Sequence, residues 1–370
     1  MTLPLPKTVE LYLLGIIGLV GVQFHLLPRL TRPEIYFAVT LPENFRNTDK
    51  GLRVLRQYQL QVWFHTFVAL VLVLSGAQLR LFGLVLAGIF WQVVGCFVAF
   101  YWGRRRVLPY AIAPSSVREA ELVPRHERLP GGLALQFGPF GLLAGVAAYL
   151  WFHWQQIPAR FPVHWGLDGL PDRWATRTAM TVFGPLLIGA VICWSLWITS
   201  YGILHWARRV HASGPWARRE VRFRHLMVSL LLGSEYFLAL IMVWTVLLPL
   251  RASAQGAPPG FQIYLLSVLA FVVLTVFVLV RTGQGGARLP DLAGVPAQQD
   301  PAHSPVGDRT PDRCWKAGLF YVNPADPALF VEARFGLGYT LNFGQVWAWV
   351  LLLLMVALPL AVALVLNHSS

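Results

Sequence analysis

His164, Asp168 and Asp172 recur every four residues in PVHWGLDGLPDRW, residues 162–174, a polar stretch in an otherwise apolar chain. An imidazole and two carboxylates this close in sequence have the chemistry to bind a divalent metal, a cationic ligand or a peptide. Helical spacing would put all three on one face. Gly166, Gly169 and Pro171 disfavour a regular helix, however, and Asp168-Gly169 is a turn signal. The stretch therefore reads as an ordered polar loop. Its carboxylates can also serve the loop itself, accepting hydrogen bonds from backbone N–H groups and from Arg160 or Arg173. Trp165 and Trp174 fit interfacial anchoring as well as ligand contact. Fold support, ligand recognition and catalysis all stay open for this loop, as does metal binding.

Glu235, in LLLGSEYFLAL, is the second candidate, because it lies near the middle of a long apolar run. A carboxylate at that depth costs about 2.5–3.5 kcal/mol on insertion scales, so it must face other helices or a water-filled cavity. It can carry protons, bind a cation, or sit as a neutral acid bonded to another helix near Ser234 and Tyr236. His25, His65, His153 and His205 fall near run ends, and Gln23, Gln61, Gln92 and Gln136 add hydrogen-bonding capacity. The chain has no HExxH zinc motif, no legible triad and no glycine-rich phosphate loop, which argues against an ATP-driven pump. No cofactor is expected, and an enzyme is disfavoured.

Positioning these groups falls to eight apolar runs. Residues are 56% hydrophobic and 13% charged, far from the quarter charged that is usual in soluble domains. The runs cover about 11–27, 59–78, 81–102, 136–155, 180–203, 226–250, 261–280 and 346–366. Each is near the ~20 residues a bilayer core requires. Helix is the only open choice for such segments, because unpaired backbone groups are too costly in lipid and the short alternation of barrel strands is missing. The fold class is an all-α polytopic membrane protein of about eight transmembrane helices, with a small β-rich or α/β insertion before the last.

Of the 30 lysines and arginines, 24 fall in the first, third, fifth and seventh links between runs. That asymmetry places those links in the cytoplasm and both termini outside, with the 156–178 loop facing outward. It also accounts for the net charge of +13 without nucleic acid, since basic links rest against anionic headgroups. GPWARREVRFRH, in the fifth link, has the option of a short surface helix. The N-terminus lacks a convincing cleavage signal and reads as uncleaved, and the three cysteines imply no disulfide framework.

The organisation reads as a three-helix unit over 1–135, a four-helix unit over 136–281, a flexible linker at 282–311, a cytoplasmic module at 312–345 and a last helix at 346–370. The module mixes aromatic and β-branched residues, with Trp315 and Tyr321 ahead of two turn pieces, Asn323-Pro324 and Asp326-Pro327. Gly336 and Gly338 mark a second turn, and Arg334 and Asn342 complete its candidate residues.

IPARFPVHWGLDGLPDRW resembles the outer-loop motif of a small uncharacterised domain in bacterial membrane proteins related to the sporulation-delaying-toxin immunity protein. RCWKAGLFYVNPADPALFVEARFGLGYTLNFG resembles a second uncharacterised domain that accompanies it. LPRLTRPEIYFAVTLPENFRNTDKGLRVLRQY is similar to the first cytoplasmic link of proteins carrying both. The resemblance carries over the positions Pro158, Pro162, His164, Gly169, Pro171, Asp172 and Trp174. The family more often has phenylalanine after the histidine, and commonly an asparagine where Gly166 or Leu167 stands. Its immunity relatives are inner-membrane proteins that protect against a secreted peptide toxin and can signal to a transcriptional repressor. The resemblance implies an inner-membrane receptor or immunity-like protein that recognises a secreted peptide or envelope component and reports to a cytoplasmic partner. A secondary transporter coupled at Glu235 is the alternative, and an intramembrane enzyme the weaker one.

Overall fold

The computed structural model describes residues 7–114, 127–165, 171–208, 210, 214–247, 260–290 and 307–368. Among these residues are eight long helices: α1 (Lys7–Leu30), α2 (Asp49–Leu79), α3 (Phe82–Val107), α4 (Gly132–Phe152), α5 (Ala179–Trp206), α6 (Gly214–Leu247), α7 (Phe261–Thr282) and α8 (Val346–His368). The first seven are long and apolar enough to cross a membrane, and α8 is apolar over Val346–Ala361. The protein is an all-α polytopic membrane protein with only short strand pairs outside the helices.

Local chemistry sets several of the boundaries. Thr48 caps α2 by accepting from the Gly51 N–H at 3.2 Å, and Thr178 and Thr181 form a reciprocal capping box at the start of α5. Arg80 takes a left-handed conformation and turns the chain within two residues from α2 into α3. The fifth-link arginines give no separate surface helix. GPWARREVRFRH instead forms the first turns of α6, because Glu220, Phe223 and Arg224 are buried there against the links of the same end.

Helices α1, α2 and α3 pack together, α4, α5 and α6 form a second group with α8 against α5, and α7 bridges α1 and α6. Stacked rings mark the α6–α7 seam, Phe237 on Phe271 at 4.1 Å and Trp244 on Tyr264 at 4.5 Å. Within the first group, Gln92 satisfies its amide across helices, donating to the Ile17 carbonyl at 2.8 Å and to Thr66 at 3.1 Å.

Among the described residues, four two-stranded antiparallel hairpins decorate the ends. β1 (Ile35–Tyr36) pairs with β2 (Val39–Thr40), and β3 (Arg160–Trp165) with β4 (Pro171–Thr176). β5 (Trp315–Lys316) pairs with β6 (Phe320–Tyr321), and β7 (Phe330–Glu332) with β8 (Tyr339–Leu341). The β3–β4 hairpin stands at one end of α4–α6. The other three occupy the opposite, arginine-rich end.

The β7–β8 hairpin joins the two helix groups. Phe330 packs on Ile203, Leu204 and Ala207 of the α5 end, while Phe335 in its turn enters the first group, 5.0 Å from Phe97 and 4.7 Å from Phe100. The segment read as a flexible linker, 282–311, is built into this end wherever it is described. Gln284 clamps the Gly338 peptide from both sides, accepting at 2.8 Å and donating at 2.9 Å, and Asp308 and Thr310 are buried. Residues 291–306 of the linker lie outside the described residues.

Candidate functional site

The β3–β4 hairpin carries the polar motif. Its register runs from Arg160 opposite Thr176 to Trp165 opposite Pro171, with irregularities at Val163 and at Asp172. Phe161 and Ala175 point inward and join the core of α4–α6, whereas the bulge leaves Val163 and His164 exposed. His164 Nδ1 lies 2.6 Å from Asp172 Oδ1, with both side chains about half exposed. The motif is thus a hairpin rather than a loop, and its histidine and aspartate meet across strands, not along a helix face. Neither Arg160 nor Arg173 takes Asp172. Arg160 lies over the half-buried Trp174 ring at 6.0 Å, and Arg177 holds the hairpin base by donating to the Trp154 and Ile157 carbonyls at 2.9 and 2.8 Å. Asp168 and Gly169 lie outside the described residues.

Directly beneath this hairpin is a largely apolar crevice of about 80 Å³, lined by Leu150, Ile157, Phe161, Val163, Pro185 and Val246 among others. A cavity of ~150 Å³ with similar lining accepts benzene, so this one suits a single small apolar side chain. Among the described residues no hydroxyl or thiol is bonded to His164, and no three histidine, cysteine or acidic side chains gather as a metal site.

Deeper in the same helix group, Glu235 is fully buried, and among the described residues neither of its carboxylate oxygens has a hydrogen-bond partner. Its sequence neighbours do not serve it: Ser234 bonds back to the Leu230 carbonyl, and Tyr236 reaches the Leu135 carbonyl on α4 at 2.8 Å. Cys193 of α5 donates to the Glu235 backbone carbonyl at 3.6 Å, so this turn of α6 lies against α5. Gln136 Oε1, Trp197 Nε1 and Ser200 Oγ in α4 and α5 are also buried without partners. Unpaired buried polar groups are rare because each forfeits its hydration.

Among the described residues, four ion-pair centres organise the arginine-rich end, one of them Arg224 on Glu127 at 2.9 Å. Arg32, from the first link, meets Glu332 of β7 through two 2.8 Å bonds and Glu220 of α6 through a third. Gly285 sits against this triad at φ +61°, and a Cβ there would lie 2.7 Å from Arg32 Nη2, so only glycine fits. Arg334 forks onto Asp308 at 2.7 Å through both Nε and Nη2 and also pairs with Asp312. It reaches Thr40 and the Ala38 and Thr310 carbonyls, and its guanidinium lies 5.2 Å from the Trp315 ring. Burial opposes the Asp308 charge, but the Arg334 guanidinium and hydrogen bonds from Arg334 and Thr310 hold its carboxyl below the usual range. Arg208 pairs with Asp326 at 2.7 Å, and the Tyr321 hydroxyl donates to the same carboxylate at 2.9 Å.

Most module residues read from sequence therefore turn out to hold the layer together. Asn342 is fully buried and satisfied, donating to the Asn323, Asp326 and Ala328 carbonyls and accepting from the Asn323 and Gly344 N–H groups. Asn323 and Asp326 make the two side-chain turns, with Pro324 and Pro327 exposed beside them. Gly336 and Gly338 supply the positive-φ backbone between β7 and β8. Sequence reading missed Arg32, Glu220, Asp308 and Glu332 as a group. The available signal was the presence of acids in links otherwise dominated by arginine.

Residues 141–189 match a domain of unknown function (DUF1648), and residues 324–349 match a family of unknown function (DUF5808). The first match runs from within α4 through the β3–β4 hairpin into α5. The second spans the β7–β8 hairpin and the start of α8. No curated protein and no solved structure matches the chain. Both stretches singled out by their residues thus correspond to uncharacterised domains, one at each end of the bundle.

Proposed function

We propose that this chain is a bacterial inner-membrane receptor, immunity-like in kind, that recognises an extended peptide or envelope component at the β3–β4 hairpin. The observation that carries this reading is the exposed hairpin standing over an apolar crevice. A two-stranded hairpin offers free edges to which a peptide backbone can add, and alternate side chains then gain pockets. Here the crevice would take one apolar side chain, and the exposed His164–Asp172 pair would fix a polar neighbour. Trp174, half-buried on β4, would flank the bound segment. The lysine and arginine asymmetry supports an outward hairpin and cytoplasmic β7–β8 module, with both termini outside. The resemblance of the hairpin to proteins related to the sporulation-delaying-toxin immunity protein favours a secreted peptide as ligand.

Reporting to a cytoplasmic signalling partner would pass through the β7–β8 hairpin, because Phe330 rests on α5 of the recognition group and Phe335 on α3 of the other. The test is protection of cells expressing the protein against peptides secreted by neighbouring bacteria. Wild type is expected to protect, and a membrane-inserted His164→Ala/Asp172→Ala variant to lose protection. Equal protection by both forms would overturn the hairpin assignment.

A specific observation favours a second reading. The unpaired Glu235 carboxyl and the unpartnered Gln136, Trp197 and Ser200 atoms suit a secondary transporter that couples proton or cation movement at Glu235.

A further inference from the structure

We propose that the cavity between the ends of α1 and α7 binds the phosphate group of a membrane phospholipid headgroup. The cavity measures about 280 Å³ and is lined by Arg29, Thr31, Glu43, Asn44, Arg46 and Arg288 among others. Arg29 sits in the last turn of α1, and Arg288 follows shortly after α7 ends at Thr282. Two apolar helices stop here together, which sets the cavity at headgroup depth on the arginine-rich face, where basic pockets between helices meet lipid phosphates.

The three guanidiniums have no carboxylate partner among the described residues. Arg46 Nη2 donates to Thr31 Oγ1 at 2.9 Å and to the Arg32 and Ile35 carbonyls, while its buried Nε has no partner. Arg288 donates to the Val280 and Arg29 carbonyls at 3.0 and 3.1 Å, which orients its fork without neutralising it. Among the described residues the Arg29 guanidinium makes no hydrogen bond or ion pair. Burial lowers Arg46 to about 10; Tyr36 and Glu34 oppose that fall, and the nearby Arg288 adds to it. The group therefore stays charged at neutral pH and gains from an anion. Arginine forks match phosphate oxygens in geometry as well as charge.

Glu43 on the lining and Glu34 behind Arg46 reduce the local excess to one positive charge, which suits a singly charged phosphodiester better than a free dianion. A glycerol hydroxyl beyond the phosphate would also find Glu43, Asn44 and Asn47 as partners. Phosphatidylglycerol is therefore the probe. This inference is independent of the hairpin reading.

The test is native mass spectrometry of the full-length, detergent-purified protein titrated with phosphatidylglycerol, repeated for Arg29→Gln and Arg29→Gln/Arg288→Gln. Wild type should retain one lipid that survives mild activation. Arg29→Gln should weaken it about tenfold, the effect of one charged hydrogen bond, and the double variant should abolish it. Because the Arg29 guanidinium makes no hydrogen bond or ion pair among the described residues, its variant decides the matter if loss of Arg288 disturbs folding. Unchanged retention in Arg29→Gln would overturn the site. So would displacement of the lipid by inorganic phosphate at equal concentration, since that would identify a soluble anion as the preferred occupant.

Discussion

Removing the Arg334 side chain should expose how the arginine-rich end is held. Arg334→Met keeps most of the length and apolar stem but deletes two bonds to Asp308, one to Asp312, and those to Thr40 and the Ala38 and Thr310 carbonyls. Breaking one side of a buried ion pair costs about 3–5 kcal/mol, mostly because a charge is stranded. Here each stranded acid keeps two donors: the Thr310 N–H and hydroxyl for Asp308, and the Thr40 N–H and hydroxyl for Asp312. The loss should therefore fall near the lower end, about 3 kcal/mol. Asp308→Asn alone should cost about 2 kcal/mol, since the fork keeps one acceptor but loses its counter-charge. In the double variant that second change relieves the stranded charge, so the total should stay within about 1 kcal/mol of Arg334→Met alone. Denaturant titration in detergent, followed by tryptophan fluorescence, is the assay, and Trp315 beside Arg334 is a built-in reporter. Strict additivity of the two changes, or a single-variant loss below about 1 kcal/mol, would refute the reasoning.

Three further outcomes are expected. Because Asp308 has a depressed folded-state pKa, its contribution is present at neutral pH and is lost as pH falls below the ordinary aspartate value of about 4; melting curves of Asp308→Asn should show a flatter acid limb than wild type. A Cβ at Gly202 would lie 2.5 Å from the Phe330 ring, so Gly202→Ala should cost about 1–3 kcal/mol, and Phe330→Leu in the same chain should recover part of it in the same melts. Glu235→Leu should leave stability unchanged or higher, because neither oxygen is partnered; a loss above about 2 kcal/mol would show a partner for the acid. Proton-dependent flux abolished by Glu235→Gln would favour the transporter reading, and unchanged flux would end it.

The membrane class was legible from composition and run length alone. Apolar runs near twenty residues leave the backbone one way to satisfy itself in lipid, so eight helices and their order follow from local sequence. The turn pieces of the module were legible too, since Asn323, Asp326, Gly336 and Gly338 act through their own backbones. Helix starts were less so. α2 and α6 begin well before their apolar runs, because Leu55 and Tyr58 in the one and Glu220, Phe223 and Arg224 in the other are buried by contacts outside their own helix.

What the tertiary structure decided was partnership. His164 and Asp172 sit eight residues apart, and only the hairpin register, with its irregularities at Val163 and Asp172, brings them to 2.6 Å. Arg32 and Glu332 are three hundred residues apart, and nothing in either neighbourhood names the other. Glu235 stood out in sequence by its depth, but its lack of any partner is a property of the side chains that surround it. Helix formation is settled within a few turns of chain, whereas the pairing of a buried charge depends on which distant segment packs against it. The sequence therefore determined that these groups would be costly to bury, and the packing of the links decided which of them would be matched.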